Sequence, residues 1–153
     1  LTARRGGLRF WDLADTVVWV VPLGNIFVRF GNFMNGELYG DPTTLPWGVT
    51  FPGVPAPRHP LQLYEMVFAA IILAVTLPRA ARRRFPGEMF WLVLTLTSIG
   101  RILLDLLRSE DRVLGVLTLG MIPAALLAIA GGWILLTKGR ASAGPGRPAA
   151  RTP

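Results

Sequence analysis

The chain has 153 residues, 52% of them hydrophobic, no cysteine and a formal net charge of +7, with a mean hydropathy of +0.47. A water-soluble domain of this length is less apolar, so the composition points to an integral membrane protein. The lack of cysteine excludes disulfides, thiolate metal sites and a cysteine nucleophile within the chain. A basic excess can serve nucleic acid, but here the arginines fall between apolar segments, as they do on the cytoplasmic flanks of membrane spans.

The chain opens on Leu1, and Thr2–Arg9 lacks the pattern of a signal peptide, so further residues are expected upstream. Four apolar segments then follow, each near the roughly 20 residues a helix needs to cross a bilayer. They run from about Thr16 to Phe33, Leu61 to Leu77, Met89 to Leu107 and Val113 to Thr137. The expected fold is therefore all-α, a polytopic transmembrane helical bundle over residues 1–137 with a loop at 36–60. Residues 138–153, basic and rich in Gly, Pro and Ala, are expected to be a disordered tail.

Eleven of the sixteen basic residues precede the first segment, separate the second from the third, or follow the fourth. The positive-inside rule then puts both ends of the chain in the cytoplasm and residues 36–59 outside. That outer loop carries five prolines between Asp41 and Arg58, with Trp47 and Phe51, a mixture that cannot continue a helix and suits an interfacial lid or hairpin.

The end of the first segment is the most polar part of any span. Gly31–Gly40 packs Asn32, Asn35 and Glu37 among three glycines, and Arg29 stands three residues before Asn32 on the same helical face. Such groups at a membrane rim are costly unless they are buried in protein or face water. A guanidinium presents a planar fork to phosphate oxygens, carboxamides donate and accept beside it, and Glu37 could balance Arg29 or polarise a hydroxyl. The bland alternative is a helix end with Asn and Gly as caps and a snorkelling arginine.

His59-Pro60-Leu61-Gln62-Leu63-Tyr64-Glu65 opens the second span, with Gln62 and Glu65 three apart on one face. An apolar span cannot carry Glu65 without a cation or donor from another helix. Pro60 is a good helix starter and His59 taken alone reads as structural. In the third span Arg101, Asp105 and Arg108 fall at i, i+4 and i+7, one stripe of a helix. Asp105 could hold Arg101 extended toward an anion, or the two could be a buried structural pair. Together Arg29, Asn32, Glu37, Gln62, Glu65, Arg101 and Asp105 are expected in one outer-leaflet cavity that suits an anionic phospholipid headgroup.

These blocks carry a resemblance. Arg29-Phe-Gly-Asn-Phe-Met-Asn-Gly-Glu-Leu-Tyr-Gly40 closely resembles the signature of bacterial prolipoprotein diacylglyceryl transferases. The His59–Glu65 block and Gly100-Arg101 with Asp105, Arg108 and Glu110-Asp111 resemble two further motifs of that family, in the same order. The resemblance implies a multi-pass enzyme of the bacterial inner membrane with an extracytoplasmic active face. It would move the sn-1,2-diacylglyceryl group of phosphatidylglycerol to the lipobox cysteine of a prolipoprotein, with no metal or organic cofactor. By position, Arg29, Asn32, Glu37 and Arg101 would be catalytic. Gly31, Asn35, Gly40, His59, Gln62, Glu65, Asp105 and Arg108 would bind substrate.

The family fold has about seven spans, and its first three, with the general base expected among them, precede the region matched here. This chain also has Val28 where the family usually has Gly, Leu61 for a small polar residue, and Asp105 for the usual Glu. The alternative is a phospholipid-binding membrane protein that has lost the chemistry with its amino-terminal part.

Overall fold

In the computed structural model, residues 9–108, 112–114 and 117–142 are described. Their helices are α1 (Phe10–Val17), α2 (Val20–Asn35), α3 (Leu61–Thr76), α4 (Glu88–Asp105) and α5 (Met121–Ser142), and a 3₁₀ segment at Leu77–Arg82 extends α3. Among the described residues three stretches are long and apolar enough to cross a membrane: Phe10–Asn35, Leu61–Arg82 and Met121–Ser142. The third expected span, α4, is not among them, because it carries Glu88, Arg101 and Asp105 within 18 residues.

The expected ends shift in three places. The first helix begins six residues earlier than expected, at Phe10, and breaks at Val18–Trp19. Pro22 causes the break, because it has no N–H for the Val18 carbonyl one turn back. That carbonyl instead accepts from Val21 at 3.1 Å. In the third expected span α4 stops at Asp105, which leaves Arg108 outside the expected stripe. The fourth apolar segment does not start as a helix: β1 (Arg112–Leu114) and β2 (Leu117–Thr118) pair antiparallel before α5 begins at Met121. Val113 and Thr118 are β-branched and favour that extended start. At the other end α5 runs on to Ser142, past the boundary expected at 138, and residues 143–153 lie outside the described residues.

α4 packs most extensively on α5 and α2 on α3, while α3 against α4 joins the two pairs. The core between them holds Val18, Ile72, Met89 and Val93, with Phe68 and Trp19 against it. α4 and α5 come close at Gly131, where an added Cβ would lie 2.1 Å from Thr95 Oγ1, the small-residue contact that membrane helices use for packing. Large apolar side chains such as Leu126, Ile129 and Trp133 point outward from α5, as lipid-facing positions do.

One carboxylate fixes the end of the bundle where α1 meets α4. Asp15, 3% exposed, accepts the Gly87 N–H at 2.8 Å and the Phe90 N–H at 2.9 Å, and pairs with Arg83 at 3.2 Å. An anion there satisfies amides that the first turn of α4 leaves open and complements its dipole.

Candidate functional site

α2 ends because Gly36 takes φ +70°. The Glu37 N–H returns to the Asn32 carbonyl at 2.9 Å and the Gly36 N–H to Phe33 at 3.1 Å, the paired bonds of a Schellman end. The chain then enters the 36–60 loop, which folds back on itself: Val49 and Arg58 exchange N–H bonds at 3.0 and 2.9 Å. Gly40 N–H closes the loop on His59 O at 2.8 Å, and Asp41 N–H docks it on the bundle through Leu107 O at 2.9 Å. Only glycine fits at position 40, because a Cβ would sit 2.9 Å from both Leu107 O and Leu61 Cγ. Inside the loop Tyr39 stacks on Phe51 at 5.1 Å, and the Arg58 guanidinium lies 5.4 Å over Tyr39.

Beneath the loop, α2, α3 and α4 enclose a cavity of about 350 Å³. Its polar wall is Arg29, Glu65, Arg101 and Asp105, with Asn25 and Thr97 deeper, and its apolar wall includes Val21, Phe68 and Leu104. Arg29 forms an ion pair through Nε with Glu65, which is the cation the carboxylate in the second span required. The Arg29 Nη1 reaches Asn32 Oδ1 at 3.5 Å. Across the cavity Arg101 Nε donates to Asp105 Oδ2 at 3.1 Å, and the same oxygen accepts the Thr118 hydroxyl at 2.9 Å. Asp105 is buried, whereas the Arg101 side chain is 46% exposed and lies over Gly120, whose added Cβ would meet it at 2.7 Å. The two guanidiniums thus come from different helices, stand on one hollow, and are each held at Nε by a carboxylate.

Four of the seven residues expected in one cavity line it. Asn32, Glu37 and Gln62 are not among its lining; they form a polar chain beside it. Asn32 Nδ2 reaches Glu37 Oε2 at 3.5 Å, and Gln62, fully buried, donates through Nε2 to the Glu37 carbonyl. Glu37 therefore does not balance Arg29 directly, because the left-handed Gly36 turns it away and Glu65 takes that place. His59 lies in the loop, with Nδ1 3.3 Å from the Tyr64 hydroxyl, which also accepts Trp47 Nε1 at 2.8 Å. Arg108 donates to the Leu38 carbonyl at 3.0 Å, so it braces the loop. Gly31 and Asn35 are exposed at the end of α2, away from the cavity lining.

The sequence reading missed Thr118, which secures Asp105, and Asn25, which lines the cavity one turn from Arg29. For Asn25 a signal existed, since a carboxamide sat inside an apolar span at i−4 from an arginine already singled out.

The family model for prolipoprotein diacylglyceryl transferase matches residues 1–137. Proteins named phosphatidylglycerol–prolipoprotein diacylglyceryl transferase are similar over most of the chain. One from Nitratidesulfovibrio vulgaris strain DP4 is 42% identical over 142 residues, covering 88% of this chain and 54% of that protein. One from Rhizobium meliloti is 38% identical, covering 87% and 51%, and one from Wolinella succinogenes is 40% identical, covering 85% and 47%. The chain spans about half the length of these curated relatives. On these matches, the chain belongs to the prolipoprotein diacylglyceryl transferase family.

Proposed function

We propose that the protein containing this chain transfers the diacylglyceryl group of phosphatidylglycerol to the lipobox cysteine of a prolipoprotein. The observation that carries the reading is the placement of Arg29 and Arg101, from α2 and α4, on one cavity bounded by apolar helix faces. Its volume suits a headgroup, and its apolar walls suit the start of acyl chains.

In the reaction the cysteine sulfur attacks C3 of the glycerol that carries the acyl chains. A C–S bond forms, the C–O bond to phosphate breaks, and glycerol phosphate leaves with the bonding electron pair. The thiol proton goes to a base, which the family resemblance implies lies upstream of this region. The phosphodiester starts with one negative charge and leaves as a monoester with up to two. Two guanidiniums aimed at that phosphate therefore bind the transition state more tightly than the ground state. Glu65 and Asp105 act as positioning residues that hold the forks open toward the cavity. The distribution of basic residues supports an extracytoplasmic setting for this end of the bundle, where exported lipoproteins meet the bilayer.

The test is transfer of a labelled diacylglyceryl group to a lipobox peptide by the full-length gene product in phosphatidylglycerol vesicles. Arg29→Ala and Arg101→Ala are each expected to lower kcat by on the order of 100-fold or more. Turnover unchanged by either substitution would overturn the reading, and phosphatidylglycerol binding without transfer by the unmodified protein would favour a non-catalytic relative.

A further inference from the structure

Below the two arginines the cavity wall carries a second polar level that headgroup binding leaves unused. Asn25 lies on α2 four residues before Arg29, and Thr97 lies on α4 four residues before Arg101. Each is therefore about one helical turn, roughly 6 Å, deeper than its arginine. Among the described residues no hydrogen bond is found for the half-buried Asn25 carboxamide, although it sits within a stretch apolar enough to span a membrane. Thr97 is as unusual. The hydroxyls of Thr76, Thr95 and Thr137 each donate to the carbonyl four residues back, at 2.7 to 2.9 Å. Thr97 Oγ1 is enclosed and has no partner.

Unsatisfied donors at that depth require an acceptor, and lipid hydrocarbon offers none. A glycerophospholipid offers two. From phosphate to the nearer ester carbonyl, its glycerol atoms extend over a length comparable to one helical turn. We infer that Asn25 is a binding residue for an ester carbonyl of the lipid's diacylglycerol portion, with the Thr97 hydroxyl as a second donor brought to the wall by rotation about χ1. The arginines thus hold the phosphate while Asn25, one turn deeper, reads the ester linkage and fixes how far the lipid sinks. This subsite rests on the headgroup reading of the arginines.

The test compares binding of ester-linked phosphatidylglycerol with its diether analogue, which keeps the headgroup and chains but lacks both carbonyls. The full-length gene product in detergent micelles is titrated with each lipid, unmodified and as Asn25→Leu or Thr97→Val. The unmodified protein is expected to favour the diester by roughly tenfold, and Asn25→Leu to cut that preference to within about twofold, by weakening diester binding alone. Thr97→Val should reduce the preference by a smaller factor. Equal affinity of the unmodified protein for both lipids, or a preference that survives Asn25→Leu, would overturn the inference and leave the headgroup reading standing. Binding of neither lipid would defeat both.

Discussion

Arg29 of α2 and Glu65 of α3 form an ion pair in the cavity wall, and their side chains are only 13% and 18% exposed. Neither charge is tolerable there alone, so the pair both joins the two helices and positions a guanidinium fork. Glu65→Ala is expected to destabilise the full-length protein by about 2–3 kcal/mol, somewhat under the range for fully enclosed pairs because both groups keep some exposure. Thermal unfolding in detergent reads this directly, and an unchanged midpoint would contradict it. Glu65→Gln keeps the volume and raises the cavity's net positive charge, so phosphatidylglycerol should bind more tightly while kcat falls. A fall in kcat with no gain in affinity would mean that Glu65 does more than position Arg29.

Much of this pairing was legible in the sequence, because a carboxylate in an apolar span demands a cation and helical spacing puts Asp105 beside Arg101. The choice between Glu37 and Glu65 as partner of Arg29 was not legible. It turns on Gly36 adopting a left-handed conformation, which ends α2 and sends Glu37 toward Asn32 and Gln62. The hydropathy of 113–137 likewise read as one span. The β-branched start of that stretch pairs as strands, and only the remainder becomes α5. Asp15 and Thr118 escaped for a different reason. Their partners lie 72 and 13 residues away, and no local periodicity encodes such contacts.

Asp15 provides a control remote from the chemistry. The cavity adjoins the start of α3 and Arg83 follows its end, and α3 alone spans about 24 Å. Asp15→Ala strips acceptors from two amides of α4 and a partner from Arg83, which should cost about 2–4 kcal/mol. The transfer rate per folded molecule should stay within about twofold. An Asp15→Ala protein of unchanged stability, or one folded but inactive, would refute this separation.

Gly40→Ala tests whether the loop must dock closely on the bundle. The new Cβ would meet a backbone carbonyl and the Leu61 side chain at 2.9 Å, and the carbonyl cannot move without disturbing the end of α4. Overpacking of this kind costs about 1–3 kcal/mol, and here it should lift the loop and weaken the Asp41–Leu107 bond. Limited proteolysis between residues 41 and 58 should accelerate, and transfer should drop at least tenfold. Loop cleavage at the original rate would show that the docking tolerates a methyl group.

The most discriminating prediction concerns a single oxygen. Asp105 Oδ2 accepts both the Arg101 Nε–H and the Thr118 hydroxyl, so Thr118 acts on the reaction only through the carboxylate that aims Arg101. Thr118→Val is nearly isosteric and removes one charge-assisted bond, of about 1.5–3 kcal/mol. It is expected to lower kcat by roughly tenfold while leaving the folded protein intact. Asp105→Asn removes the charge that Thr118 serves and should lower kcat further. Because both changes release the same guanidinium, the double variant should be little worse than Asp105→Asn alone, a coupling that independent sites do not show. Turnover of the four proteins in parallel decides the matter, since multiplicative losses would mean that Thr118 and Asp105 act separately and that Arg101 is held by something other than their shared contact.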